Sequence, residues 1–331
     1  MKKIISVLFI IVLGSLVLSS CERGQKVVQD FPSVISSLES YKVTGKLYSM
    51  FPSGTKECLV TVYYKQPDFY RVEVDNETLN EKQIVIKNKD GVEILVPSVN
   101  KSFKVKSSWP LNSSYPYLLQ SLSKDIISDD TKTQTKEENF TTLTVKTKMF
   151  EDANPTEEKI VFNNKTGYPE EVYVYDDSHN LISKFVYEKI EVDINIDNDL
   201  FNPVKTLESL NEHYQEMVET FIRAITYPTY YPVDAKLSEE VIKGSTIKTA
   251  IMKFDGSTPF TIIQQYLESS KVPVTSFIDG DIYVLGGSVW VINEKTVFFY
   301  EQGMEYTIAS NSLPVIEMIK TGDSLLVGNE K

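Results

Sequence analysis

The sequence has few of the residue types that support catalysis or covalent cross-linking. Its 331 residues include only two cysteines, two histidines and two tryptophans. Two cysteines, Cys21 and Cys58, cannot build a disulfide framework or a paired-cysteine metal site. The chain must therefore be stabilised by a hydrophobic core.

The histidines do not lie in a catalytic or metal-binding pattern. His179 falls in a predicted hairpin turn and His213 on the polar side of a predicted helix, and no phosphate loop, dinucleotide fingerprint or zinc motif is present. The run from Asp193 to Asp199 imitates the start of a calcium loop. Its sixth position is Asn198 instead of glycine, however, and its twelfth is Val204 instead of glutamate. We predict a protein that is not an enzyme, with no catalytic residues, metal or cofactor.

Positive charge is also scarce. Lysine and arginine total 34 against 46 acidic residues, a net charge of -12. Removing residues 1–20 would discard Lys2 and Lys3 and no acid, so the charge would become -14. Because binding to phosphates requires a basic surface, nucleic acid is excluded as a partner. A membrane link would have to use something other than a basic patch.

The N-terminus predicts export. Two lysines precede an apolar run from Ile4 to Leu18, as in a secretory signal peptide, and fifteen residues fall short of the ~20 needed to span a bilayer. Leu18-Ser19-Ser20-Cys21 resembles the lipobox of bacterial lipoproteins. That resemblance implies signal cleavage between Ser20 and Cys21, acylation of Cys21 and anchoring to a membrane.

The basic residues also suggest the kind of cell. Only Arg23, Arg71 and Arg223 are arginine, a bias typical of AT-rich genomes. This favours a Gram-positive host, in which the lipid-anchored protein would lie on the extracytoplasmic face of the plasma membrane.

The remaining chain divides into a long strand-rich part and a smaller unit. A polar tether at residues 21–30 precedes alternating strands over 31–205, interrupted by a helix at Tyr117 to Ile127. A connecting helix is predicted over 206–226, and residues 227–331 predict a small α+β domain with helices at Pro259 to Ser269 and Leu313 to Ile319.

Two residues in the strands leave alternatives open. Cys58 is either a small buried thiol, which its strand-like alternation favours, or a reactive one. Arg71, beside Phe69 and Tyr70, either pairs with an acid such as Glu73 or contacts a partner or lipid head group.

The order of the strand and turn motifs resembles LolA/LolB-like (MucB/RseB-like) lipoproteins, in the Gram-positive branch related to the sporulation and germination lipoprotein GerS. The matching runs are Tyr41 to Leu47, Val62 to Glu73, Asp90 to Pro97, Ile160 to Asn163, Thr166 to Pro169 and Ile194 to Phe201, with Tyr227 to Ile262 resembling the C-terminal module of MucB/RseB-like proteins. The resemblance implies an open antiparallel half-barrel with inserted helices, mainly β or α+β in class, joined to the small α+β domain.

The same resemblance implies a non-enzymatic envelope protein that binds a protein partner or an acyl lipid, in sporulation or germination. A cortex amidase is one implied partner. Two alternatives remain: an envelope-stress regulator of the MucB/RseB type, and a lipoprotein carrier of the LolA type that holds acyl chains on its concave side.

Overall fold

The computed structural model describes residues 30–110, 112–149, 156–214, 225–244, 249–268, 270 and 272–326. The predicted signal peptide, its cleavage site at Ser20 and Cys21, and nearly all of the tether lie outside these ranges. Within them, no helix has the length and apolar character needed to cross a bilayer.

Strands dominate this part of the chain and form two sheets. The larger sheet contains β1 (Ser40–Phe51), β2 (Gly54–Lys65), β3 (Phe69–Asn76), β4 (Glu81–Asn88), β5 (Gly91–Val96), β6 (Lys101–Lys106), β7 (Thr133–Lys136), β8 (Phe140–Thr147), β9 (Thr156–Asn163), β10 (Pro169–Tyr175), β11 (Leu181–Val192) and β15 (Val274–Asp279). The smaller sheet contains β12 (Lys236–Lys243), β13 (Thr249–Asp255), β14 (Phe260–Tyr266), β16 (Asp281–Leu285), β17 (Ser288–Ile292), β18 (Thr296–Glu301) and β19 (Met304–Ala309).

The larger sheet is open, with the strand order β15-β6-β5-β4-β3-β2-β1-β11-β10-β9-β8-β7. All its pairings are antiparallel except that of β15, which lies parallel to β6. Short connections place consecutive strands side by side, and β1 meets β11 in the middle of the sheet. The prediction of an open, mainly antiparallel β fold is confirmed.

The inner face of the larger sheet is filled by the chain itself. Residues 30–37 form a helix, α1, and the segment from Trp109 to Tyr117 leads into α2 (Leu119–Ser128). Their side chains pack against the residues of the strands that face inward. Every second position of a strand faces this side, and Val60 and Val62 of β2 are fully buried there. Aromatic side chains dominate this packing: Tyr41, Tyr64, Tyr70, Trp109, Tyr115, Tyr117, Phe185 and Tyr187.

The inner aromatic side chains also make polar contacts. The hydroxyl of Tyr41 donates to Oε1 of Gln120 at 2.6 Å, and that of Tyr187 donates to the carbonyl of Pro116 at 2.8 Å. These bonds fix α2 and the segment before it against the strands, since a buried hydroxyl needs a partner.

The smaller sheet has the order β12-β13-β14-β19-β18-β17-β16. Helix α4 (Val315–Leu326) packs on it through Met318, Ile319 and Leu325, which are all nearly inaccessible to solvent. One continuous hydrophobic core contains residues of both sheets. The predicted α+β character of this unit is confirmed.

One predicted helix is wrong. Residues 259–269 were expected to be helical after Pro259, but the structure has strand β14 at Phe260–Tyr266. Phe260, Ile262, Gln264 and Tyr266 are buried with a period of two, so the segment belongs in the middle of a sheet. Strands β7, β12 and β15 were also missed, because their exposed positions give no apolar alternation.

The division of the chain into domains stays a prediction. A helix, α3 (Pro203–Tyr214), occupies the start of the predicted connecting helix, and residues 215–224 lie outside the described ranges. Strand β15 belongs to the later part of the chain yet completes the larger sheet, so the two parts share a sheet as well as a core.

The two sheets are also joined by buried polar groups. Gln83 of β4 uses both ends of its amide: Nε2 donates to the carbonyl of Tyr300 and Oε1 accepts from the N–H of Val289, each at 2.8 Å. The carboxylate of Glu81 accepts the N–H of Gln302 at 3.0 Å. A buried amide with both ends bonded specifies one alignment of the sheets.

Buried carboxyl groups in this interface make stability depend on pH. Burial raises the pKa of Glu81 to about 8, so the folded state binds this proton more tightly than the unfolded chain. The free energy of unfolding should therefore fall as pH rises from 4.5 to about 8, by up to ~1.4 kcal/mol per pH unit for one carboxyl. Glu81→Gln is neutral and keeps an acceptor for Gln302, so it should reduce this slope in urea unfolding. If the free energies of unfolding of the variant and the wild type changed equally with pH, Glu81 would not be the source of the slope.

Candidate functional site

The outer face of strands β3 to β5 carries a second hydrophobic core. Ile84, Ile86 and Leu95 point away from the main core and pack against Ile196, Phe201 and Leu207. Ile196 follows β11, Phe201 ends a 3-10 turn (Asn198–Phe201), and Leu207 lies in α3. The segment from Ile196 to Leu207 therefore lies across the outside of the sheet, and β3 to β5 are buried on both faces.

Arg71 anchors this outer segment. It is 6% exposed. Its Nε lies 2.7 Å from Oε1 of Glu73, while Nη1 donates to the carbonyl of Leu200 at 2.9 Å and to Oγ1 of Thr206 at 2.7 Å. Of the two interpretations that the sequence left open, the structure favours the internal pair with Glu73. A direct contact of Arg71 with a partner stays a prediction.

Two further polar side chains from the sheet hold the same segment. Nζ of Lys65 donates to the carbonyl of Ile196 at 2.8 Å and to Oδ1 of Asn198 at 2.6 Å. Nδ2 of Asn88 donates to the carbonyl of Phe201 at 3.0 Å. Backbone carbonyls of an irregular segment are thus satisfied by long side chains from regular strands, which fixes the position of the segment.

An open groove of about 1050 Å³ lies between this segment and the edge of the larger sheet. We call it the edge groove. One wall is formed by residues 201–204 at the start of α3, and the other by Phe277 to Asp279 of β15. The turn between β4 and β5 closes one end, and Glu93 and Lys104 form part of its floor.

The rim of the edge groove exposes large apolar side chains. Phe277 is 84% exposed and Val204 is 56% exposed. Parallel pairing places Phe277 beside Lys104, on the outer face of the sheet. Exposed apolar side chains on opposite walls of one groove are typical of a binding surface.

The lining of the groove is both apolar and charged. It combines apolar residues with the amines of Lys89, Lys104 and Lys106 and the carboxylates of Asp90, Glu93, Asp199 and Asp279. No group of three or more metal-ligating side chains occurs in the described ranges.

The other candidate residues lie elsewhere. His179 is exposed in the turn before β11, away from the groove, and His213 falls within α3. Cys58 is 4% exposed and burial raises its pKa to about 12, so the thiol is inert, as the alternation of its strand favours. Cys21 lies outside the described residues.

A second cavity, of about 530 Å³, lies between the larger sheet and α4. Its walls are mainly apolar and include Met50, Phe51 and Ile319, with Asp177 and Lys320 among the polar residues. It lies where the larger sheet meets the smaller unit, and its volume is about half that of the edge groove.

These features define a class of protein: an open antiparallel sheet with a filled inner face and a surface groove, joined to a smaller α+β unit. The chain belongs to the YdcC-like sporulation protein family, whose model matches residues 1–201. It is similar over nearly its whole length to sporulation protein YdcC of Bacillus subtilis (strain 168). The two sequences are 29% identical over 324 residues, which cover 95% of this chain and 94% of that protein.

Solved structures with more distant likeness come from the groups that the sequence resembled. The complex of MucA and MucB from Pseudomonas aeruginosa has 12% identity and a TM-score of 0.31, covering 93% of this chain and 96% of that one. A putative outer membrane lipoprotein-sorting protein domain from Vibrio parahaemolyticus has 11% identity and a TM-score of 0.35, covering 56% and 99%. The complex of the CwlD amidase with the GerS lipoprotein from Clostridioides difficile has 14% identity and a TM-score of 0.27, covering 52% and 95%.

Loss of the Arg71 anchor should destabilise the fold. In Arg71→Met the carboxylate of Glu73 and the carbonyl of Leu200 lose a buried partner, which should cost about 3 kcal/mol in the free energy of unfolding. Lys46→Met is the matched control, because Lys46 and Glu57 form an exposed pair at 3.3 Å whose loss should cost under ~1 kcal/mol. Urea unfolding measures both, and equal costs would contradict the anchoring role.

Proposed function

We propose that this protein is a lipid-anchored sporulation lipoprotein that is not an enzyme and that binds a protein partner through the edge groove. The observation that carries the proposal is the contrast between the two sides of the larger sheet. The inner face is filled by the chain, whereas the outer groove is open and has apolar residues on its rim.

The filled inner face disfavours a carrier of acyl chains. Tyr41, Trp109 and Phe185 are fully buried there, and hydrogen bonds to Gln120 and to the carbonyl of Pro116 hold Tyr41 and Tyr187 in place. An acyl chain would have to displace these aromatic side chains and break their contacts. A partner at the edge groove would require no such rearrangement.

The composition of the edge groove supports a protein as the ligand. Exposed Phe277 and Val204 offer apolar contacts, while lysines and carboxylates around them offer polar ones. Protein interfaces combine an apolar centre, often aromatic, with a polar rim in this way. The net charge of -12 disfavours nucleic acid and anionic lipid.

Lipid anchoring rests on the N-terminal sequence and has a direct test. If Cys21 is acylated, Cys21→Ser should abolish incorporation of a radiolabelled fatty acid. Cys58→Ser is the control and should incorporate label as the wild type does, because Cys58 is buried in β2. Label retained in the Cys21 variant would contradict the anchor.

The partner site can be tested by site-specific photo-crosslinking in the native host during sporulation. A photo-reactive amino acid at Val204, in the wall of the groove, should give one discrete protein adduct. The same amino acid at Thr135 is the control, because Thr135 is exposed in β7 at the opposite edge of the sheet. Mass spectrometry identifies the adduct, and the purified partner should bind wild-type protein better than a Phe277→Asp variant by about tenfold or more.

The outcomes separate the candidate functions. A cortex amidase as the adduct would support a role in germination, and a membrane-bound regulator would support the stress-sensor alternative. Acyl lipid with no protein adduct would contradict partner binding and favour the carrier alternative. Equal adducts at Val204 and Thr135 would show that the groove has no special role.

A further inference from the structure

The two sheets have four edges, and three of them are protected. Strand β7 is only four residues long and has no apolar side chain, and β12 carries the charged side chains of Lys236, Glu239, Glu240 and Lys243. Strand β16 is buried, and its Tyr283 packs against Tyr115 of the other half of the molecule. Shortness, charges or burial at an edge prevent pairing with other strands.

The fourth edge, β15, lacks such protection. Its sequence is Val-Thr-Ser-Phe-Ile-Asp, in which Asp279 at the end is the one charged residue. Val274 is 45% exposed and Phe277 84% exposed, and Val272 just before the strand is 70% exposed. An edge with exposed apolar side chains and a single charge at its end is a template for a further strand.

On its side away from β6, strand β15 has no neighbouring strand among the described residues. The N–H of Val274 donates to the carbonyl of Asn100 at 3.2 Å, on the β6 side. Amides in a strand alternate in direction, so Ser276 and Ile278 also face β6 while Thr275 and Phe277 face away from it. Thr275 and Phe277 therefore present N–H and C=O groups at the free edge.

We propose that the partner docks by adding an extended segment to the free edge of β15, with an apolar side chain packed on Phe277 and a basic residue near Asp279. This rests on the proposed function and specifies its mode of binding. Main-chain hydrogen bonds to Thr275 and Phe277 supply the pairing, and the edge groove beside Phe277 receives alternate side chains of the added strand.

Charge determines which occupant fits. Asp279 pairs in register with Lys106, and the groove beside the edge is lined by four carboxylates and three lysines, so the local charge is slightly negative. The whole chain carries -12. A basic segment is attracted to this edge, whereas a second copy of the chain would bring the same negative charge and the same aspartate. The occupant is therefore a segment of another protein with lysine or arginine beside apolar residues.

The test compares two substitutions at Thr275 in the full-length protein. Thr275→Ala and Thr275→Pro both remove the contact of 3.0 Å between Oγ1 of Thr275 and Oγ of Ser102. Only Thr275→Pro also removes the N–H that faces away from β6. Proline is tolerated at an edge strand when its N–H side faces solvent, so pairing with β6 should survive. An unchanged urea midpoint relative to Thr275→Ala would verify this.

The probe is a phage-displayed library of random peptides, each about ten residues long, selected on the wild-type protein. Enriched peptides should alternate apolar residues and carry lysine or arginine. Synthetic versions should bind Thr275→Ala within about twofold of wild type and Thr275→Pro about tenfold more weakly.

Several results would overturn strand addition. The first is equal peptide binding by the Thr275→Pro and Thr275→Ala variants. The second is a set of selected peptides without alternating apolar residues. The third is a selection in which no peptide binds Thr275→Pro more weakly than wild type. A wild-type dimer in sedimentation that becomes a monomer in Thr275→Pro would identify a second copy as the occupant and overturn it as well. A Val204 adduct that persists in Thr275→Pro would leave partner binding intact and reject this mode alone.

Discussion

Burial of strands β3 to β5 on both faces is the constraint on which the rest of the molecule depends. The inner face is covered by the main core and the outer face by the segment from Ile196 to Leu207. A sheet covered twice cannot accept a polar residue on either side without a partner, so Arg71, Lys65 and Asn88 all bond to the outer segment. Their bonds fix one wall of the edge groove.

The smaller unit depends on the same strands. Gln83 and Glu81 of β4 reach it through buried hydrogen bonds, and Lys101 of β6 pairs with Glu305 of β19. The turn between β16 and β17 comes so close that a Cβ on Gly287, whose φ is 87°, would lie 2.6 Å from Nδ2 of Asn76. Strands β3 to β6 of the larger sheet therefore position the groove, the second sheet and the edge strand together.

The strands could be predicted from sequence and the groove could not. Apolar residues alternate in strands such as β1 and β2, because one side of each faces the core. Strand β4 has the continuous apolar run Ile84-Val85-Ile86, because both of its faces are buried. In β14 the residues Ile262 and Ile263 are adjacent and Gln264 is polar, so the sequence also fits the helix predicted from Pro259. Val274 and Phe277 give no signal, because Thr275 and Ser276 between them leave neither an apolar run nor an alternation. The groove combines five segments separated by up to about two hundred residues, and no local pattern records such an arrangement.

Parallel pairing of β15 with β6 also has a consequence for the order of folding. Strand β6 ends at Lys106, whereas its outer neighbour begins at Val274, so synthesis of more than a hundred and sixty residues separates the two. Until β15 arrives, β6 exposes its own backbone. The larger sheet is therefore complete only after β15 has been synthesised. Pairing between strands so far apart in the sequence is slow, because a long loop must close first. Chaperones that shield β6 during this interval would protect the chain from aggregation.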